Sequence, residues 1–172
     1  MFNFTSLHLT IPVELGLWNV YNADGEILQY SATFKYWQWA VDTLISGAQE
    51  SLGLPTPEKT VAFLTGAIAQ NICDTAQTNC KGDNEQYTSN NDCLAFLTQK
   101  IRFGQAYELG RNTLLCRSVH QNMVPFRPDV HCSHIGKTGG GMCADDKTYL
   151  STVADNYFTN APFVMQGIET EK

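Results

Sequence analysis

Charge is scarce in this chain. Only 16% of its 172 residues are Asp, Glu, Lys or Arg, and acids outnumber bases 17 to 11, for a formal net charge of −6. A nucleic-acid groove needs a basic surface, and so does docking on an anionic membrane, so this balance argues against both. No apolar run approaches the ~20 residues that a bilayer span requires. Six cysteines are present without a single C-x-x-C pair, which leaves zinc ribbons and thioredoxin-type redox motifs unsupported. A G-x-S-x-G elbow is missing too, which weakens a serine-hydrolase reading. There is no internal repeat and no low-complexity segment. The opening MFNFTSLHLTIP has neither a basic n-region nor a cleavage site, and the expectation is a mature form whose signal peptide has given way to a start Met.

What is present fits a globular domain. Hydrophobic residues make up 43%, enough for a chain of this length to bury a sizeable core as one domain spanning 1–172. An even set of cysteines without metal spacing, in an acidic and lysine-poor chain, reads as three disulfides formed in an oxidising compartment. Secretion is therefore expected, and Asn3-Phe4-Thr5 is a glycosylation sequon consistent with it. Six cysteines allow fifteen pairings. Cys132–Cys143 is the expected one, because a short glycine-rich loop between them closes easily.

The periodicities predict a mainly α fold, a compact bundle of about five helices with a small N-terminal β-hairpin, braced by disulfides. Residues 1–30 form the strand lead-in, 36–158 the helical body and 163–172 a frayed tail. Leu7, Leu9, Ile11, Val13, Leu15 and Leu17 alternate as in a half-buried strand, which Pro12 restricts to a sheet edge. Asp24-Gly25 marks a hairpin turn. From Tyr36 the period becomes helical through Trp37, Val41, Leu44, Ile45, Ala48 and Leu52, and Gly53 with Pro55 ends it. Thr56-Pro57 restarts a helix as cap and first residue. Residues 73–91 read as a polar loop pinned by its cysteines. Asn91-Asp92 caps the next helix, Gly104 breaks it, and a further helix is expected over about 105–122. A long irregular stretch then leads to Asp145-Asp146, which caps a last helix carrying Tyr149, Leu150, Val153 and Tyr157.

The chemistry-bearing residues crowd into Cys116–Cys143, which holds three of the four histidines, three of the six cysteines and a glycine run. If 105–122 is helical, Glu108, Asn112, Cys116 and His120 fall on one stripe, flanked by Arg111 and Arg117. His131 and His134 are three apart and converge on one ion if the backbone between them is turned or helical. His120 completes a three-imidazole set of the kind that holds zinc or copper and leaves a position open. Asp129, Asp145 and Asp146 are the available carboxylates, as a fourth ligand or as partners for the ring N–H groups. Glu108, His120 and Arg117 are the candidate catalytic residues.

Three functions follow from these residues. The first is a secreted metal-binding protein, a hydrolase or oxidase built on His120, His131 and His134. The second is a non-catalytic binder of glycan or lipid, or of another small molecule, through the aromatic group Tyr30, Phe34, Tyr36, Trp37 and Trp39. The third is a metal-free hydrolase with a His base held by an Asp, Arg117 or Arg127 at the developing charge, and Ser118 or Ser133 as nucleophile. Gly136-Lys137-Thr138 resembles the end of a P-loop, but the leading glycine is missing and no helix follows. The glycines after it instead let the backbone take positive φ and approach a neighbour closely.

The run YELGRNTLLCRSVHQNMVPFRPDVHCSHIGKTGGGMCADD is similar to the C-terminal half of small secreted cysteine-rich proteins of mushroom-forming fungi. The likeness reaches upstream through the tryptophan-rich helix and the cysteine loop. It implies secretion and disulfides, and it brings no activity and no catalytic residues with it.

Overall fold

A computed structural model describes residues 2–4 and 9–153 of the chain. The described residues fall into two compact units, one drawn from Met1–Val13 and Tyr36–Asp146, the other from Glu14–Lys35 and Lys147–Lys172. The fold is mainly α, with six α-helices among the described residues, small antiparallel strands near the N-terminus and three disulfides.

In the second unit, β3 (Leu15–Tyr21) and β4 (Ile27–Phe34) pair antiparallel. The turn is built around Asp24-Gly25, with Gly25 at φ +83° and the Asn22 carboxamide oxygen accepting from the Asp24 and Glu26 amides. The strand expected over 7–17 is divided. β1 (Phe2–Phe4) pairs with β2 (Leu9–Ile11) in the first unit, and β3 begins only after Pro12, which has no N–H to donate to a ladder. A short helix, α6 (Tyr149–Val153), also belongs to the second unit. Tyr157 and the expected 163–172 tail lie outside the described residues.

The first unit holds the other helices. α1 (Trp37–Leu52) ends at Gly53, whose left-handed backbone lets its N–H reach back to the last turn. α2 (Pro57–Asn79) starts where the Thr56 hydroxyl accepts the Lys59 amide. It runs past residue 73, where a loop was expected. Its inner face there is Ala69, Ile72, Cys73 and Ala76, all buried, while Gln70, Asp74, Thr75 and Asn79 bond one turn away on the outer side. α3 (Asn90–Gln99) is capped by Ser89, two residues before the expected Asn91-Asp92.

The helix expected over 105–122 is also shorter. Residues 106–108 form a single 3-10 turn, and α4 (Leu114–Gln121) starts only after Thr113, whose hydroxyl accepts the Cys116 amide. The stretch read as irregular contains α5 (Pro128–Ile135), with Pro128 at its first position.

The core joins α2, α3, α4 and α5 through Ile72, Leu97, Leu114, Val124 and Ile135, with the half-cystines Cys73, Cys80, Cys93 and Cys132 buried among them. Cys73–Cys93 ties α2 to α3, Cys80–Cys132 ties the end of α2 to α5, and Cys116–Cys143 ties α4 to the segment after the glycine run. The expected Cys132–Cys143 pair is therefore wrong. Cys132 sits on the inner side of a helix and meets Cys80 across the core, a partner that no local loop length could reveal.

Candidate metal centre

Three imidazoles meet between α4 and α5. His120 stands in the last turn of α4 and is 9% exposed. His131 and His134 lie on one face of α5, three residues apart and both partly exposed. One nitrogen from each of the three rings falls within 4.8 Å of the others. The two Nδ1 atoms of His131 and His134 are 3.2 Å apart, and the His120 ring stands edge-on to that of His134 at 4.7 Å between centroids.

That spacing suits an ion. Imidazole nitrogens at the ~2.0–2.1 Å of a zinc bond, in tetrahedral directions, stand about 3.3 Å from one another. The His131–His134 pair meets this already, and His120 brings a nitrogen within 4.8 Å of one on each of the other two rings. No carboxylate completes the cluster among the described residues. Asp145, expected as a ligand or its partner, is instead held by both Nη atoms of Arg102 at 2.9 and 3.0 Å and accepts the Asn112 amide.

Disulfides brace both helices. On α5, Cys132 lies between the two histidines and faces the core, where it is fully buried against Cys80. On α4, Cys116 precedes His120 by one turn and is equally buried, bonded to Cys143. The glycine run supplies a third support. Gly139, Gly140 and Gly141 all have positive φ, and a Cβ on Gly140 would stand 2.9 Å from His134 Cδ2 and 2.5 Å from Ser133 Oγ. The backbone thus packs directly on the His134 ring, the close approach that only glycine permits.

The other expected site residues lie elsewhere. Glu108 is outside α4, so the stripe Glu108–Asn112–Cys116–His120 reduces to its last two members. Its carboxylate takes the Arg102 guanidinium at 2.8 and 3.0 Å and accepts the Gln105 amide, closing a capping box. The Arg102 guanidinium holds the Glu108 carboxyl below its usual range and lowers that of Asp145 to about 2. Arg117 is fully buried, and its N–H groups go to the carbonyls of Gly136, Thr113 and Lys137 with the Phe96 ring below. Burial pushes the Arg117 guanidinium below its usual range, and the neighbouring Tyr87 and the more distant Asp145 only partly offset this. Ser118 and Ser133 both donate to a carbonyl three residues earlier in the helix.

Some contributors were not visible in the sequence. Tyr87 is buried and its hydroxyl donates to the Ile135 carbonyl at 2.7 Å, closing off the C-terminal end of α5. Its burial raises the phenol well above its ordinary range, so it stays a neutral donor. Gly140 was legible only as a permissive residue, and its specific contact with His134 depends on how the loop folds back.

No solved structure matches the chain. It is 47% identical over 161 residues to the Aurasperone B biosynthesis cluster protein A of Aspergillus niger, an overlap that covers 93% of this chain and 52% of that protein. Against the Bifonsecin B biosynthesis cluster protein A of Aspergillus brasiliensis it is 46% identical, over 93% of this chain and 54% of the relative. The chain thus spans about half the length of these curated relatives. The expected fungal kinship holds, but these relatives are Aspergillus proteins, and they do not support its restriction to mushroom-forming fungi. Residues 36–146, more than half of the chain and the stretch that carries the three clustered histidines and all three disulfides, match the BfoA family C-terminal domain, and the chain belongs to that family.

Proposed function

We propose that the chain is a secreted, disulfide-braced domain that binds one divalent metal ion, zinc or copper, through His120, His131 and His134. The observation that carries this reading is the convergence of three ring nitrogens within 4.8 Å from two cross-linked helices. Three neutral imidazoles with a free fourth position are the donor set of a catalytic rather than a structural site. Such an ion activates a bound water or polarises an oxygen, and a hydrolase or an oxidase is the matching enzyme class. His120 carries the ligand role, while Glu108 and Arg117 act on the scaffold, Glu108 through Arg102 and Arg117 through the carbonyls around α5. The relatives are named for biosynthesis clusters, so the protein is proposed to serve the making of a fungal product of that kind. Secretion is supported by three disulfides with no free cysteine, and among the described residues no helix is long and apolar enough to cross a membrane.

Elemental analysis of untagged protein tests the reading. About one equivalent of zinc or copper is expected, and His120→Ala should lower affinity tenfold or more. Less than a tenth of an equivalent, with no uptake on titration, would refute it.

A second reading has its own observation. Tyr36 and Trp39 stack at 5.7 Å between centroids, and both are largely exposed, at 67% and 72%. Such a pair is a platform for a sugar ring or an apolar ligand. Glycan binding that survives loss of all three histidines and disappears in Trp39→Ala would favour it.

A further inference from the structure

His120 belongs to two donor sets. Besides its histidine partners, it lies with Cys116 and Cys143, whose sulfurs come within 4.8 Å of its ring nitrogen and of each other. Cys116 and His120 are four apart on α4 and share one face, the helical spacing that brings two ligands to one ion. Cys143 approaches from the segment beyond the glycine run, its Cα 5.7 Å from that of Cys116.

The surroundings favour anionic sulfur. Cys116 lies in the first turn of α4, where its amide is directed to Thr113 and the helix dipole stabilises negative charge. The buried guanidinium of Arg117 is close to Cys143, since Arg117 Nη2 and Cys143 Cβ both lie within 3.5 Å of where a Gly139 Cβ would stand. A thiolate in such a place is a strong ligand for zinc or monovalent copper. While the two sulfurs are bonded to each other they are not such ligands.

We propose that Cys116, Cys143 and His120 form a second metal site, open only when the Cys116–Cys143 disulfide is reduced, and selective for soft ions. Its exchange with the three-histidine site rests on the function proposed above, whereas the site itself stands on its own geometry. Opening the disulfide takes two electrons and two protons from a dithiol, which becomes a disulfide, or two electrons from a phosphine, which becomes its oxide while water supplies the oxygen and both protons. Either way it leaves two thiols, which lose their protons on binding the ion. Closing it needs a two-electron oxidant, such as a protein disulfide, and ejects the ion. The disulfide therefore decides which set His120 serves, so oxidation comes before loading of the three-histidine site.

Cobalt(II) provides the probe, because thiolate ligation adds a near-ultraviolet charge-transfer band that imidazole ligation lacks. Cys143→Ser and Cys116→Ser each leave one thiol beside His120 and keep the other two disulfides. Both variants should show the band at one equivalent, and adding His120→Ala should weaken cobalt affinity at least tenfold. Oxidised wild type should bind cobalt without the band. A band in the variants without binding by wild type would sink the three-histidine reading and keep this site, whereas cobalt binding without a band in either variant would overturn this site alone. If the variants do not fold, phosphine-reduced wild type supplies the measurement. One equivalent of zinc should slow alkylation of Cys116 and Cys143 at least tenfold relative to the other four cysteines, and uniform alkylation would overturn the proposal.

Discussion

Adding a methyl group at Gly140 tests whether the glycine run positions His134 or is only a turn. Gly140 and Gly141 both have left-handed backbones, at φ +53° and +73°. Alanine at either position meets the same backbone penalty, about 1–2 kcal/mol for an L-residue in that region. They differ in what the new Cβ touches. At Gly141 it meets nothing within 4 Å, whereas at Gly140 it stands 2.5 Å from Ser133 Oγ and 2.9 Å from both the Ser133 carbonyl carbon and His134 Cδ2. The carbonyl carbon is backbone in the middle of α5 and cannot swing aside, so the ring and the glycine loop must move. Overpacking of this kind adds a further ~1–3 kcal/mol. Gly141→Ala should therefore lose about 1–2 kcal/mol and Gly140→Ala about 2–5 kcal/mol. Urea unfolding of both variants beside wild type, with unchanged slope, reads the difference directly. Displacing the His134 ring should also cost Gly140→Ala tenfold or more in zinc affinity, with Gly141→Ala within about twofold of wild type. Equal destabilisation by the two substitutions would refute the packing argument, whatever the metal does.

Two further predictions concern the scaffold. Arg102 holds the Asp145 carboxyl at about 2, below its ordinary 3.8, so the group favours folding fully above pH ~4 and loses that contribution as pH falls through about 2. At 1.36 kcal/mol per unit the limit is about 2.4 kcal/mol, which solvent screening of this roughly half-exposed pair reduces to about 1 kcal/mol. Asp145→Asn should flatten the unfolding free energy read from urea melts between pH 2 and 5 by that amount, and an unchanged profile would contradict the assignment. At Arg117, methionine would fill the buried space but leave three carbonyls without their donor, against the gain of one fewer buried charge, for a net loss of about 2 kcal/mol. Arg117→Lys should recover little of it in thermal unfolding, because one ammonium cannot reproduce the planar fork. Full recovery would mean that charge alone matters there.

Local chemistry made parts of this fold legible. Thr56-Pro57 opens α2, Gly53 closes α1 and Asp24-Gly25 turns the hairpin, each because a backbone requirement selects the residue found there. The second half of α2 was hidden because its buried face uses Ala69, Cys73 and Ala76, small residues and a half-cystine that make a weak apolar stripe. The α4 boundary was misplaced for the opposite reason. Glu108, Asn112, Cys116 and His120 keep a perfect helical interval, but the chain leaves the helix before Thr113 because Glu108 is drawn to Arg102 and the Gln105 amide. An interval of four is necessary for a shared helical face and does not enforce one. For α5 a local signal existed in Pro128 at its first position, masked by a composition of histidine, cysteine and serine that carries little apolar period.

The histidine cluster was legible for a reason that the cystine pairing was not. His131 and His134 are joined by two residues, so their proximity follows from the local backbone once α5 is helical. Cys80 and Cys132 are 52 residues apart, and their meeting depends on α2 crossing α5, which no interval encodes. Yet the long-range links are what make the cluster a site. α4 and α5 are eight residues each, too short to hold helical form alone in water. Cross-links at Cys116 and Cys132, each on the same short helix as its histidines, fix the two helices before any ligand arrives. The entropy of ordering the rings is then met during folding and not on binding, which is how a preformed site gains affinity. On this view the disulfides matter most for ligand affinity. Opening Cys80–Cys132 by paired serine substitution should weaken metal binding even in protein that stays folded.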